Sequence, residues 1–327
     1  MHFLRLIRPV NLIIIAFTMY STRLFLYIYE QLFKINLFQK GGEEFDFFLI
    51  VFSTVLIAAA GNIINDYFDV RADRINKPEK LIITKHINRK WAILSHWVLN
   101  VIAFGIAIYL SARNNTFWYM FIHLLSINAL WFYSMYFKRK PFIGNFIVAT
   151  LTALVPILCG IHFYIHHELP TIELENINTP FAFWIYHLMA HGHYILILAL
   201  FAFASNLARE IIKDIEDIEG DKLLHAKTLP ILYGVSKSKW MAGLLLILSP
   251  ILFCLLFFLK IDSSSNLIEN IRLFIPVLGA LFLDIISIVL LIKAKSRKEL
   301  KRVDLMIKIA MLLGLSLPFY WILAYSF

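Results

Sequence analysis

Residues 65–73 read Asn65-Asp66-Tyr67-Phe68-Asp69-Val70-Arg71-Ala72-Asp73, at the end of an apolar run that begins near Phe47. Asp66, Asp69 and Asp73 are spaced i, i+3, i+7, which at about 100° per residue puts them on one face of a helix. The same spacing returns in Asp214, Asp217 and Asp221, again where an apolar segment ends. A charged side chain costs up to about 3 kcal/mol at the centre of a bilayer and less near its surface. Six carboxylates placed where apolar segments end therefore need a compensating partner. Facing one another, they repel unless cations neutralise them.

The surrounding composition makes those apolar segments membrane spans. The chain has 327 residues, 60% hydrophobic and 15% aromatic, with a mean hydropathy of +0.73. A soluble domain of this size is not so apolar; this is a polytopic membrane protein. Runs of about 20 apolar residues lie near 9–29, 47–67, 91–112, 116–137, 142–164, 182–207, 240–260, 270–292 and 304–325. The expected fold is all-α: nine transmembrane helices in one integral-membrane domain, residues 1–327, around a central cavity. Arg5 and Arg8 precede the first span as they would in a signal peptide. The span is long and has no small-residue cleavage site, so it is expected to stay. Cys159 and Cys254 both sit in apolar segments, which excludes a disulfide framework or a paired-cysteine zinc site.

The net charge of +9 follows from topology rather than from nucleic-acid binding, and no nucleic-acid partner is expected. Loops 68–90, 138–141, 208–239 and 293–303 carry seven, three, six and six Lys or Arg residues, with two more before the first span. The opposite loops hold only Lys34, Lys40, Arg113, Lys260 and Arg272. Positive loops stay inside, so the N-terminus and both aspartate stretches are expected in the cytoplasm and the C-terminus outside the cell membrane.

Along the chain, Asn11 early in the first span bonds a neighbouring helix or lines a cavity. Arg23, near the outer end, is expected to snorkel to the interface. Ala58-Ala59-Ala60-Gly61 permits close helix packing. Asn62 and Asn65 follow on the Asp66 face, and Arg74, Lys77 and Lys80 adjoin the carboxylates around the helix-ending Pro78. Tyr133 leads into Lys138-Arg139-Lys140, on the same side of the membrane. Arg209 and Lys213 stand one turn apart on a helix that the second aspartate trio is expected to continue, with Lys227 beyond. Six histidines lie between His162 and His193, with i, i+4 spacing in His162/His166 and His187/His191. That spacing can chelate zinc or copper, but no carboxylate is in register, and interfacial histidines are expected. The last three spans carry few polar residues and read as scaffold walls. The 29 phenylalanines suit either a lipid-facing bundle or a channel for a long apolar chain.

Magnesium suits the two trios: it is hard, takes oxygen ligands and bridges carboxylates to phosphates. Lysines and arginines then grip the phosphate oxygens. A diphosphate at the membrane surface with its lipid tail inside the bundle fits this arrangement. Its metal-assisted departure leaves an allylic carbocation that aromatic faces or tyrosine oxygens can stabilise.

These residues resemble a known family. Asn65 to Asp73 is similar to the NDxxDxxxD motif of the UbiA-type intramembrane prenyltransferases, and Asp214 to Asp221 to their DxxDxxxD motif. The span count agrees over essentially the whole chain. Within the superfamily, three stretches resemble the digeranylgeranylglyceryl phosphate synthases: Asn65 through Pro78; Tyr133-Ser134 with Lys138-Arg139 and Gly144-Asn145; and Arg209 through Asp221 with Lys227 to Pro230. The resemblance implies one magnesium on Asn65, Asp66, Asp69 and Asp73 and a second on Asp214, Asp217 and Asp221. It implies that Arg74, Lys77, Lys138, Arg209 and Lys213 contact the diphosphate or an acceptor phosphate, and that Tyr133 shields the cation or contacts the acceptor. Asn62, Asn65, Arg139, Asn145 and Lys227 complete the expected substrate-binding set. The implied partners are a prenyl diphosphate, a hydrophobic or lipid-phosphate acceptor and the membrane lipids. Glu79-Lys80-Leu81-Ile82 departs from the more basic, proline-rich segment of many relatives, which bears on the acceptor. An aromatic-acceptor enzyme of quinone biosynthesis is the alternative. A transporter would place its ionisable residues near the bilayer midplane instead.

Overall fold

In a computed structural model, residues 2–32, 38–39, 42–76, 78–168, 193–223, 225–258, 271–272 and 274–325 are described. The fold is all-α, apart from a two-residue antiparallel pairing of Phe38–Gln39 with His167–Glu168. In lipid a helix satisfies its own backbone, so apolar runs of this length become helices. Seven helices among the described residues are long and apolar enough to cross a membrane. Arg297–Leu315 and Leu317–Ala324, bent by 43°, make an eighth when taken as one span. The expected span near 116–137 is the 18-residue helix Trp118–Met135, which is not among them; His123, Asn128 and its indole and phenol groups dilute its apolar character. Among the described residues the expected count of nine is therefore not confirmed.

The helices pack as a ring around a cavity. Glu43–Asn76 lies against Arg89–Arg113 and Trp118–Met135, and Ile143–His166 joins Pro9–Leu32 to His193–Glu216. Val235–Phe258, Ile275–Lys293 and Arg297–Leu315 close the other side. Close approach stabilises such contacts in lipid. At Gly61 an added Cβ would stand 2.9 Å from the Leu130 Cδ1 of helix Trp118–Met135, so the small-residue run packs as expected.

The helix Glu43–Asn76 has 34 residues, about 50 Å at 1.5 Å per residue, against a hydrocarbon core of about 30 Å. The first aspartate trio rides on its last turns, and the helix ends just before Pro78. The second trio departs from expectation. Helix His193–Glu216 carries Asp214, Asp217 stands in a turn, and Asp221 belongs to the separate short helix Ile218–Leu223. A helix C-terminus favours cations, and Asp214, Glu216 and Asp217 crowd this one with carboxylates.

The opposite end of the bundle corrects two further expectations. Arg23 does not snorkel: it is 7% exposed and donates to Glu44 Oε2 at 2.7 Å and to Glu43 Oε1 at 3.2 Å. His162 and His166 are buried rather than interfacial. The Tyr119 hydroxyl meets His162 Nδ1 at 3.1 Å, and His166 Nε2 lies 3.4 Å from Asp46. The side chains of His167, His187, His191 and His193 lie outside the described residues.

Candidate active site

Both aspartate stretches line one cavity of about 1130 Å³. Asn62, Asn65, Asp66, Asp69 and Asp73 enter it from the first motif, and Asp214, Asp217 and Asp221 from the second. Tyr133, Lys138, Arg139, Arg209 and Lys213 line the same space. Asn145 stands behind that wall, buried, and donates to Asp214 Oδ2 at 2.8 Å. Asn62 turns its amide to Ile7 O at 2.9 Å. Arg74 and Lys227 are exposed and are not among the lining residues; the Lys227 backbone N–H donates to Arg139 O at 2.9 Å. Lys77 lies outside the described residues.

Each motif is held by cations. Lys138 pairs with Asp69 and donates to Asn65 Oδ1 at 3.2 Å. Arg8 pairs with Asp66, and Arg297 Nη2 donates to Asp217 Oδ1 at 2.7 Å. Burial opposes the charge on Lys138, but Asp69, with Tyr133 and Asp73, more than offsets it and holds the ammonium above the ordinary lysine range. Burial pushes the Asp221 carboxyl up to about 6; Lys138 opposes the shift and Asp217 and Asp69 add to it. Lys138 therefore stands between the motifs, within the field of both.

Asn65 and the six aspartates of the two motifs offer side-chain oxygen atoms here, a donor set that matches a hard divalent cation. Among the described residues no three His, Cys, Asp or Glu side chains converge closely enough to hold a metal by themselves. Arg8, Lys138 and Arg297 pair with Asp66, Asp69 and Asp217, so a cation bound by those carboxylates would have to take their place.

Several participants were not expected from the sequence. Arg8 and Arg297 reach the motifs across 58 and 80 residues of chain. The last helices are not plain walls. Asp304 accepts from Arg209 Nε at 2.9 Å and from Lys308 at 2.6 Å, and Ser249 donates to the buried Asp284 at 2.8 Å. Asp284 and Lys308 line the cavity, as does Glu210, which is paired with Lys213. None of these lies in a motif, and only the buried charge of Asp284 within an apolar run is a signal readable in sequence.

Residues 36–312 match the UbiA prenyltransferase family. The chain belongs to that family. It is a prenyltransferase and a multi-pass membrane protein. The digeranylgeranylglyceryl phosphate synthase of Methanosphaera stadtmanae is 31% identical to this prenyltransferase over 84% of this chain and 87% of its own length. That of Thermococcus kodakarensis is 32% identical over 84% and 85%. A solved structure of a digeranylgeranylglyceryl phosphate synthase superposes with a TM-score of 0.63 at 26% identity, covering 97% of this chain and 96% of that one. A UbiA homologue from Archaeoglobus fulgidus, solved with DMAPP and Mg2+, shares the fold at a TM-score of 0.56 and 16% identity, covering 97% and 99%.

Proposed function

We propose that this prenyltransferase moves a geranylgeranyl-type group from its diphosphate to a lipid-phosphate acceptor resembling geranylgeranylglyceryl phosphate, and that it requires magnesium. The observation that carries the reading is the joining of two aspartate motifs and their basic neighbours in one cavity whose far end is apolar. The relatives named above support the choice of acceptor. Residues 1–327 act as one domain, with the N-terminus and both motifs on the cytoplasmic side of the cell membrane and the C-terminus outside. The lysine and arginine asymmetry supports that orientation.

Magnesium held by Asn65, Asp66, Asp69 and Asp73, and by Asp214, Asp217 and Asp221, would neutralise charge on the departing diphosphate. Lys138, Arg139, Arg209 and Lys213 grip phosphate oxygens, and the exposed Arg74 and Lys227 attract the anion from outside the cavity; Lys77 is assigned to the same phosphate-binding set from the sequence alone. Asn62 and Asn145 hold neighbouring groups in place, the first against Ile7 and the second against Asp214. Tyr133 presents an aromatic face to the allylic carbon as its bond to oxygen breaks. The bonding pair leaves with the diphosphate. The acceptor hydroxyl oxygen forms the new ether bond and its proton passes to solvent.

The test is incubation of purified protein with magnesium, geranylgeranyl diphosphate and either geranylgeranylglyceryl phosphate or an aromatic acid, with products identified by mass spectrometry. A dialkylated glyceryl phosphate that disappears with EDTA is expected. Prenylation of the aromatic acceptor alone would replace the acceptor assignment, and no prenyl transfer to either would overturn the reading.

A further inference from the structure

Followed from the aspartates into the membrane, the cavity wall passes the Ser249–Asp284 pair, becomes largely apolar and ends in aromatic rings. On helix Pro9–Leu32 the lining residue farthest from the charged end is Phe25; on the walls opposite, it is Leu198, Phe274 and Trp321. These four side chains, with Val277, pack into a single cluster. Trp321 is 4% exposed, its ring centred 5.5 Å from Phe25 and 6.4 Å from Phe274.

The short helix that carries Trp321 is held across this end of the cavity. The chain bends by 43° between Arg297–Leu315 and Leu317–Ala324. Ser21 donates to Leu315 O at the bend, the Tyr320 hydroxyl donates to Arg272 O at 3.0 Å, and Phe319 stacks on Phe17 at 5.5 Å. The helix that carries the indole is thus tied to two other segments, Pro9–Leu32 and residues 271–272.

We propose that Trp321, with Phe25 and Phe274, forms the floor of the prenyl-chain site and sets the longest donor the enzyme accepts. The inference rests on the reading that this cavity takes the donor's chain. Arg8, paired with Asp66, marks the level of the diphosphate, and Phe25 lies seventeen positions further along the chain. At 1.5 Å per residue that is about 25 Å. An extended isoprene unit measures about 5 Å by ordinary covalent geometry. Four units, about 20 Å, fit above the floor; six, about 30 Å, have to fold back into a packed wall or displace it.

The test measures kcat/KM for prenyl diphosphates of two to six isoprene units, with one fixed acceptor and detergent-purified full-length protein. The wild type should lose about tenfold or more between four and six units, the scale on which an apolar pocket rejects excess length. Trp321→Ala should bring the six-unit donor to within about threefold of the four-unit one, and the milder Phe25→Leu should shift the profile the same way. Val277→Trp raises the floor: the four-unit donor should fall while the two-unit donor is kept. Trp91→Ala, on the lipid-facing surface at 65% exposure, should leave the profile unchanged. An active wild type whose length profile is the same in all three floor variants would overturn the floor and leave prenyl transfer standing. Absence of transfer from every donor would overturn the underlying reading, and the floor with it.

Discussion

Lys138 is ion-paired with Asp69 of the first aspartate motif while it stands in the field of Asp214 and Asp221 of the second. One ammonium thus bridges two carboxylate groups that would otherwise repel across the cavity. On the proposed mechanism, a cation that binds the motif displaces it from Asp69 and frees it to meet the diphosphate. Lys138→Met should therefore lower kcat by about 10²–10³, the loss seen when one preorganised donor to developing charge is removed. The half-saturating magnesium concentration should be no higher than in the wild type, because the competitor for Asp69 is gone. A variant with normal kcat and weaker magnesium dependence would assign Lys138 a structural role only.

The aspartates themselves are tested by changes that keep their size. Asp66→Asn and Asp214→Asn each remove one anionic oxygen, one per motif. Loss of about 3–4 kcal/mol of charge stabilisation lowers turnover by about 10²–10³. Because both motifs are expected to serve one diphosphate, the double variant should fall well short of the product of the single losses. Lys237→Ala, exposed beyond the second motif, should be nearly neutral. Near-normal product formation by either aspartate variant, with an unchanged elution profile, would show that its trio is solvated charge.

Acid should weaken the magnesium site through Asp221. Its carboxyl titrates near 6 because burial disfavours the anion and Asp217 and Asp69 add repulsion, against the pull of Lys138. The proton is therefore held more tightly than in a free carboxyl. A metal ligand has to give up its proton, so below pH about 6 magnesium affinity should fall by about tenfold per pH unit, one proton being displaced. Calorimetric titration of magnesium into the protein between pH 5 and 8 measures this, and the slope should become shallower in Asp221→Asn. A flat wild-type profile would remove Asp221 from the ligand set.

The orientation is open to a labelling test. Single cysteines at Lys85 and Lys237, both exposed, should resist an impermeant thiol reagent in intact cells, and one at Asn176 should react. The background carries Cys159→Ala and Cys254→Ala. The opposite labelling pattern would move the active site to the outer face.

How far the sequence could be read depends on the range of the physics involved. The apolar runs and the first aspartate face follow from periodicity within a single helix, and both appear in the structure. The second trio repeats the spacing, yet its helix stops at Glu216, because spacing alone does not report a carboxylate-crowded C-terminus. Partners that meet across the bundle leave no local pattern. Arg8 reads as a membrane anchor until Asp66 is found beside it, and Arg297 as one more positive-inside residue until Asp217 is. Trp118–Met135 shows the same limit: its polar side chains matter only once their neighbours are known. His123, for instance, lies 2.7 Å from the Ser53 hydroxyl.

Arg23 is the plainest case, and its environment carries a stability prediction. A lone arginine near the end of a span is expected to reach for water. Here the guanidinium lies over the Phe47 ring at 4.6 Å and bonds the first two residues of helix Glu43–Asn76. Glu43 is 1% exposed, and the Tyr27 hydroxyl donates to it at 2.5 Å. Arg23→Met keeps the volume and removes the charge, so the buried Glu43 loses the guanidinium beside it. Breaking a buried pair from one side costs about 3 kcal/mol or more, most of it the stranded carboxylate. The variant should therefore unfold at a clearly lower temperature in detergent. Arg23→Met combined with Glu43→Gln should recover much of the loss, since neither charge then remains. Catalysis in the folded fraction should be unchanged, because this clasp sits at the opposite end of helix Glu43–Asn76 from Asp66 and Asp69. A single variant as stable as the wild type would mean that Arg23 reaches water at the membrane surface after all.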